Sequence, residues 1–227
     1  MIATCRWVIV VMLLCALPVR ADEPSEAMKV TFLEGRATAQ RSGAGPVPLA
    51  PGSELHEGEV VATGPDGKLE LLLPTGTLVR LGPGTRLELR AASGSAQRFT
   101  ARLAFGNLWA KVHKLLAGEE FKVETENAVA GVRGTEFRVE VAPAKEDLVR
   151  VYEGVVEVKD HGGAWTHRVE PGHELVFRHG TAPARPKEFA AASEAGHPFM
   201  KWVRERKERP VHLEKHEKPE HHKHEKR

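Results

Sequence analysis

Between Val30 and Phe177 the chain meets reversal signals so often that a long helix has nowhere to form. Pro51-Gly52, Gly64-Pro65, Asp66-Gly67, Pro74-Thr75-Gly76, Gly82-Pro83-Gly84 and Pro171-Gly172 all read as turns. The runs between them are short and alternate. Leu69, Leu71 and Leu73 alternate with Glu70 and Leu72, and Leu78 to Leu81 and Leu87 to Leu89 continue at regular spacing. A period of two over runs of this length predicts half-buried strands. The expected fold class is all-β.

The most distinctive stretch is Phe121 to Val141, F-K-V-E-T-E-N-A-V-A-G-V-R-G-T-E-F-R-V-E-V. Phe121 and Val123 share one face of its first arm. Phe137, Val139 and Val141 share one face of the second, with Glu136, Arg138 and Glu140 on the other. Gly131 and Gly134 lie between the arms, where glycine points to special backbone angles or close approaches. Residues on either side echo each other. F-L-E-G-R-A-T-A, a variable hairpin and L-A-P-G-S-E-L lie within Val30–Leu55. V-Y-E-G-V-V-E-V, another hairpin and V-E-P-G-H-E-L lie within Val149–Leu175. A partial third copy is F-G-N-L-W-A-K-V at Phe105–Val112. Such repetition predicts a small β roll or solenoid-like sandwich of strand–Gly–strand units, each covering its neighbour's apolar face.

The run A-V-A-G-V-R-G-T-E-F-R-V resembles the hallmark of the FecR domain family. That family shows a G-x-L/V strand, the A-V-x-G-V-R-G-T segment, an E-G strand and a Pro-Gly turn, and all four occur here in order. The resemblance covers roughly residues 30–177 and is strongest over 103–177. It implies an all-β envelope domain that receives a ligand or signal. The namesake regulators place a cytoplasmic anti-sigma region and a membrane helix before this domain. Here the expected signal peptide sits directly before the β body, so the resemblance implies a stand-alone exported member without sigma-factor output.

The ends of the chain read differently from its middle. Arg6, the apolar run Trp7–Leu17 and the small residues of Val19-Arg20-Ala21 predict a signal peptide over 1–21, cleaved after Ala21. The run is shorter than the roughly 20 apolar residues of a membrane span. Residues 22–29 then form an N-terminal linker, 30–180 the β domain and 181–198 a second linker. Phe199, Trp202, Val203 and Arg206 stand at one-face helical spacing, so a short amphipathic helix is expected over 199–210, ended by Pro210. The His-, Lys- and Glu-rich residues 211–227 lack the apolar surface to offset ordering and are expected to be disordered.

Charge and cysteine usage narrow the function. Both cysteines, Cys5 and Cys15, lie within the signal, so the mature chain has neither a disulfide nor a thiolate nucleophile. Residues 22–200 hold 21 Lys+Arg against 25 Asp+Glu, and residues 201–227 hold 10 against 6. An acidic body that is exported is a poor partner for nucleic acid. The protein is expected in the periplasm or secreted, and not integral to the membrane after cleavage. It carries no G-x-S-x-G, H-E-x-x-H or G-x-x-x-x-G-K-[ST] pattern, so no catalytic residue and no cofactor is assigned.

Within the motif, Gly131, Val132, Arg133, Gly134, Thr135 and Phe137 are read as mainly structural. Arg133 is expected to be held by backbone carbonyls or by Glu136, with an anion contact as the other reading. Thr135 is expected to satisfy nearby backbone groups. Phe199, Trp202 and Val203 offer a partner surface, unless they dock on the chain's own β body. Trp109 is expected in or near the core. His216, His221, His222 and His224 could take Zn, Cu or Ni weakly. The preferred function is therefore a non-enzymatic envelope module that recognises a partner protein or cell-envelope polymer, within a signalling system. The alternatives are a metal-handling envelope protein and an envelope hydrolase.

Overall fold

The structure, a computed structural model, describes residues 27–91, 98–115, 119–142, 146–178 and 180–207. Its strands in chain order are β1 (Met28–Glu34), β2 (Ala37–Gln40), β3 (Val47–Pro48), β4 (Glu54–Leu55), β5 (Val60–Thr63), β6 (Lys68–Leu72), β7 (Leu78–Leu81) and β8 (Arg86–Ala91). The long β9 (Arg98–Lys111) follows, then β10 (Glu120–Glu124), β11 (Ala128–Val132), β12 (Glu136–Val141), β13 (Asp147–Glu153), β14 (Val156–Asp160), β15 (Thr166–Val169), β16 (His173–Phe177) and β17 (Lys187–Glu188). Two helices close the described chain, α1 (Ala191–Ala195) and α2 (Pro198–Lys207).

Pairing sorts the strands into two sheets that share β9. The first runs β4-β1-β6-β7-β9-β12-β13-β16-β17. The second runs β3-β2-β5-β8-β9-β10-β11-β14-β15. The first half of β9 pairs with β8 and, in parallel, with β10. From Gly106 onward it pairs with β7 and β12 in the other sheet. The switch needs glycine: φ at Gly106 is +102°, and a Cβ there would lie 2.4 Å from Thr85 Oγ1. That hydroxyl instead accepts the Asn107 N–H at 3.0 Å and donates to the Gly82 carbonyl at 2.8 Å.

The sandwich core follows from strict alternation. Val30, Leu69, Leu71, Val79, Leu81, Leu108, Val139, Val149 and Val151 of the first sheet face Val61, Leu87, Leu103, Val123, Val156 and Val158 of the second, all essentially inaccessible. The inward faces expected for the two motif arms are found, with Phe121, Val123, Phe137, Val139 and Val141 all buried. Phe121 and Phe137 meet edge to face across the sandwich, 6.4 Å between ring centres.

The chain therefore forms the expected all-β roll, and the echoed E-G pairs are its corners. Gly35 carries β1 of the first sheet into β2 of the second, and Gly154 carries β13 into β14. In each echo the glycine of the Pro-Gly turn bonds back to the strand before the corner, Gly52 N–H to Val30 O at 2.8 Å and Gly172 N–H to Val151 O at 2.9 Å. The two motif glycines part company. Gly134 sits at the β11–β12 corner with φ +64°, in the role expected. Gly131 lies within β11 at an ordinary backbone angle, and a Cβ there would find nothing nearer than 3.9 Å, so the close approach expected of it is absent.

Substitution separates the two kinds of glycine. At Gly154 φ is +77° and a Cβ would lie 2.4 Å from the Gly134 carbonyl oxygen. Gly154→Ala is expected to destabilise the fold by about 3 kcal/mol, as strain against fixed backbone does. Gly131→Ala should fall within about 0.5 kcal/mol of the parent. Urea midpoints at unchanged m-value measure both.

Candidate functional site

The unusual chemistry lies on the outer face of the first sheet. Cross-strand register lines up Phe32, Glu70, Arg80, Trp109, Arg138, Arg150, Glu174 and Lys187 as one row across eight strands. Alternation puts every one of them opposite the core-facing side chains of its own strand. An outer row would normally be wet, yet Glu70, Arg80, Trp109 and Arg138 are at most 2% exposed. Helices α1 and α2 cover them.

Helix α2 lays Phe199, Met200, Trp202 and Val203 over Trp109, with Phe32, Leu78 and Tyr152 at the margin. The partner surface expected of Phe199, Trp202 and Val203 is thus covered in this structure. The apolar helix face docks on the chain's own β body, because Trp109 and its neighbours offer apolar area there. Trp109 is buried as expected, although against α2 and outside the sandwich core.

The charges beneath the helices are closely matched. Arg80 Nε donates to Glu70 Oε2 at 2.8 Å, and its NH1 donates to the Val203 carbonyl at 2.8 Å. Its guanidinium carbon lies 4.8 Å from the Trp109 ring centre and 5.9 Å from that of Trp202. Arg206 of α2 approaches Glu70 at 3.6 Å with its guanidinium 4.1 Å from the Phe32 ring centre. Burial pulls the Arg80 pKa below its ordinary value, against the opposing pull of Glu70.

Further along the row, Glu194 of α1 enters from above. Arg138 Nε stands 3.4 Å from its carboxylate, Arg150 NH1 pairs with it, and the Tyr152 hydroxyl donates to it. Arg150 also grips Glu174 through Nε and NH2, both at 2.7 Å, and Arg138 reaches Glu140 at 3.2 Å. Burial alone would push the Glu194 pKa up. The Tyr152 hydrogen bond and the two arginines outweigh it and hold the carboxyl below its ordinary range. The same burial and the neighbouring carboxylate push the Tyr152 phenol far up. His197, between the helices, is pulled down by burial and then by Arg138.

The motif residues occupy a different place. Arg133 is exposed, on the outer face of the second sheet, beside Lys122, Glu157, Lys159 and Arg168. The expected hold by Glu136 is not made: Glu136 lies on the first sheet, 3.6 Å from Lys111 Nζ. Thr135 Oγ1 is buried without a hydrogen-bond partner, so its hydroxyl does not satisfy the backbone as expected; its carbonyl accepts the Val112 N–H at 2.8 Å. Val132 and Phe137 are core residues. The proposed metal ligands His216, His221, His222 and His224, like the signal peptide, lie outside the described residues. Among those described, no group of three or more His, Cys, Asp or Glu could hold a metal, and no helix is long and apolar enough to cross a membrane.

Sequence reasoning placed Arg138 on the correct face and missed that the face is covered. It did not single out Arg80, Arg150, Tyr152, Glu174 or Glu194. The available signal was the mismatch between charged outer positions and an apolar helix face at Phe199–Val203 with nothing else to cover.

The pH dependence follows from the shifts. Glu194 and His197 both have lowered pKa values when folded, so each contributes docking stability above its ordinary value that is lost on acidification. The groups facing them are Arg138 and Glu140 of β12, Arg150 and Tyr152 of β13, and Arg204 of α2, which donates to the Glu194 and Ala195 carbonyls. Helix docking should weaken in two steps, from near pH 6.5 as His197 is forced to charge and again below the ordinary carboxylate value of 4.5. Tryptophan fluorescence, through Trp109 and Trp202, reads both. Glu194→Gln should abolish the second step and keep the first.

Residues 59–157 match the family model described as FecR protein. No curated protein matches the sequence. Among solved structures, two crystal structures of a proposed anti-sigma factor from Parabacteroides distasonis superimpose with TM-scores of 0.52 and 0.51 at 22% identity. The match covers 60% of this chain and 63% of that protein, so the chain corresponds to less than two thirds of its length. The likeness at that identity is one of fold. The motif strands β10–β12 lie inside the matched segment, so the likeness to the FecR family takes in the motif and spans less than half of the chain.

Proposed function

We propose that this chain is a non-enzymatic binding and sensing module of the bacterial cell envelope, recognising a partner protein or a cell-envelope polymer within a signalling system. The observation that carries this reading is the FecR match, which runs from β5 into β14 and so takes in β9 and both sheets. The fold shared with a proposed anti-sigma factor supports a regulatory setting. Export through the N-terminal apolar segment would set the module outside the cytoplasm, where the partner must also lie.

A tagged full-length protein, cross-linked in cells and recovered from the envelope fraction, tests the reading. One partner protein or polymer should be enriched reproducibly over a Gly154→Ala control, whose damaged corner weakens the same surface. Recovery in the cytosolic fraction, or enrichment of nothing specific, overturns it.

A further inference from the structure

Arg138 and Arg150 stand directly opposite each other in the β12–β13 ladder. Like charges in that relation repel, and both are nearly dry, so a carboxylate between them is a requirement of the face. The carboxylates carried by the sheet are already engaged, Glu174 with Arg150 and Glu140 with Arg138. What remains points at one spot: Arg138 Nε, Arg150 NH1 and the Tyr152 hydroxyl converge on the Glu194 carboxylate. We propose that Arg138, Arg150 and Tyr152 form a carboxylate-binding site, which Glu194 fills as a tethered ligand and which an acidic peptide segment of a partner takes by displacing α1 and α2.

The way Glu194 arrives supports a ligand's role. Helix α1 has five residues and no side-chain cap. From Thr181 to His197, Glu194 is the one buried residue among the described side chains. The segment before α1 is held by the β16–β17 pairing and by the Phe189 ring, which packs edge-on against Tyr152 beside the Arg150 guanidinium, whereas α1 itself meets the sheet through the buried Glu194 carboxylate. Beyond that carboxylate the face reads a peptide further. Arg80 bonds the main-chain carbonyl of Val203, a contact that any peptide could supply, and Trp109, Phe32 and Leu78 receive apolar side chains. The partner segment is accordingly an acidic residue followed, five to nine residues later, by aromatic or large apolar ones, as Glu194 precedes Phe199, Met200, Trp202 and Val203.

This inference rests on the binding reading above, and its test is independent of the natural partner. The probe is a fluorescent synthetic peptide of residues 189–207, beside the same peptide carrying Glu194→Gln. The receivers are the full chain and its Glu194→Ala/Trp202→Ala double variant, in which both anchors of the cover are weakened and the receiving residues are intact. A tethered segment competes at high effective concentration. The double variant should bind the peptide at least about ten-fold more tightly than the parent, and the Gln peptide at least about ten-fold more weakly, the size of a lost charge-assisted pair. Equal binding of the two peptides overturns the carboxylate site, as does absence of binding by a double variant that keeps its strand circular dichroism. Competition by acetate at millimolar concentration overturns the peptide in favour of a small carboxylate. Hydrogen exchange on the parent adds a second measure. Amides of α1 and α2 should exchange at least about ten-fold faster than those of β12 and β13, as a cover that opens locally does. Exchange of both at the same rate overturns displacement. A pull-down that recovers nothing leaves these outcomes unchanged.

Discussion

A single strand that belongs to both sheets governs the architecture. β9 is the neighbour of β8 and β10 in one layer and of β7 and β12 in the other, so the relative placement of the layers is fixed by covalent bonds through Gly106. Other crossings adapt to it. The Gly82 N–H bonds the Asn107 carbonyl at 2.9 Å, and the Gly84 N–H bonds Gly64 O at 2.9 Å, so neighbouring corners on that edge are tied to each other and to the shared strand. Thr63 and Thr85 complete the tie by bonding the Gly82 carbonyl with their hydroxyls.

The second organising feature is a polar layer outside the apolar core. Burying Glu70, Arg80, Arg138 and Glu174 carries a desolvation cost, which is met by pairing each with an opposite charge or a carbonyl. Pairing of this sort depends on angle and distance far more than apolar contact does. The cover formed by α1 and α2 is thereby fixed in register on the sheet, since sliding by one residue would separate Arg80 from Val203 and Glu194 from both of its arginines.

Much of the fold was legible because alternation and turn residues act locally. The Pro-Gly turns and the inward faces of Phe121–Val123 and Phe137–Val141 are set by neighbours within a few residues, whereas the E-G corners, visible as echoes, are also closed by distant backbone, Gly35 by Asp66 and Gly154 by Gly134. The site was not legible for the opposite reason. Alternation tells which face Arg138 occupies, and says nothing of what lies above it. The cover comes from far along the chain: Arg80 bonds a carbonyl 123 residues away, and Glu194 meets Arg150 across 44. Gly131 misled in another way, since a glycine on an open outer face looks, in one dimension, the same as one forced by a corner.

Sharing β9 also makes the domain indivisible. The sequence echoes invite a picture of two modules joined end to end, but a cut before Arg98 would strand each half. β7 and β8 on one side would lose their shared neighbour, and β9 on the other would lose both of them, leaving open hydrogen-bonding edges in both layers. The repeated halves are parts of one object, and no natural seam runs between them.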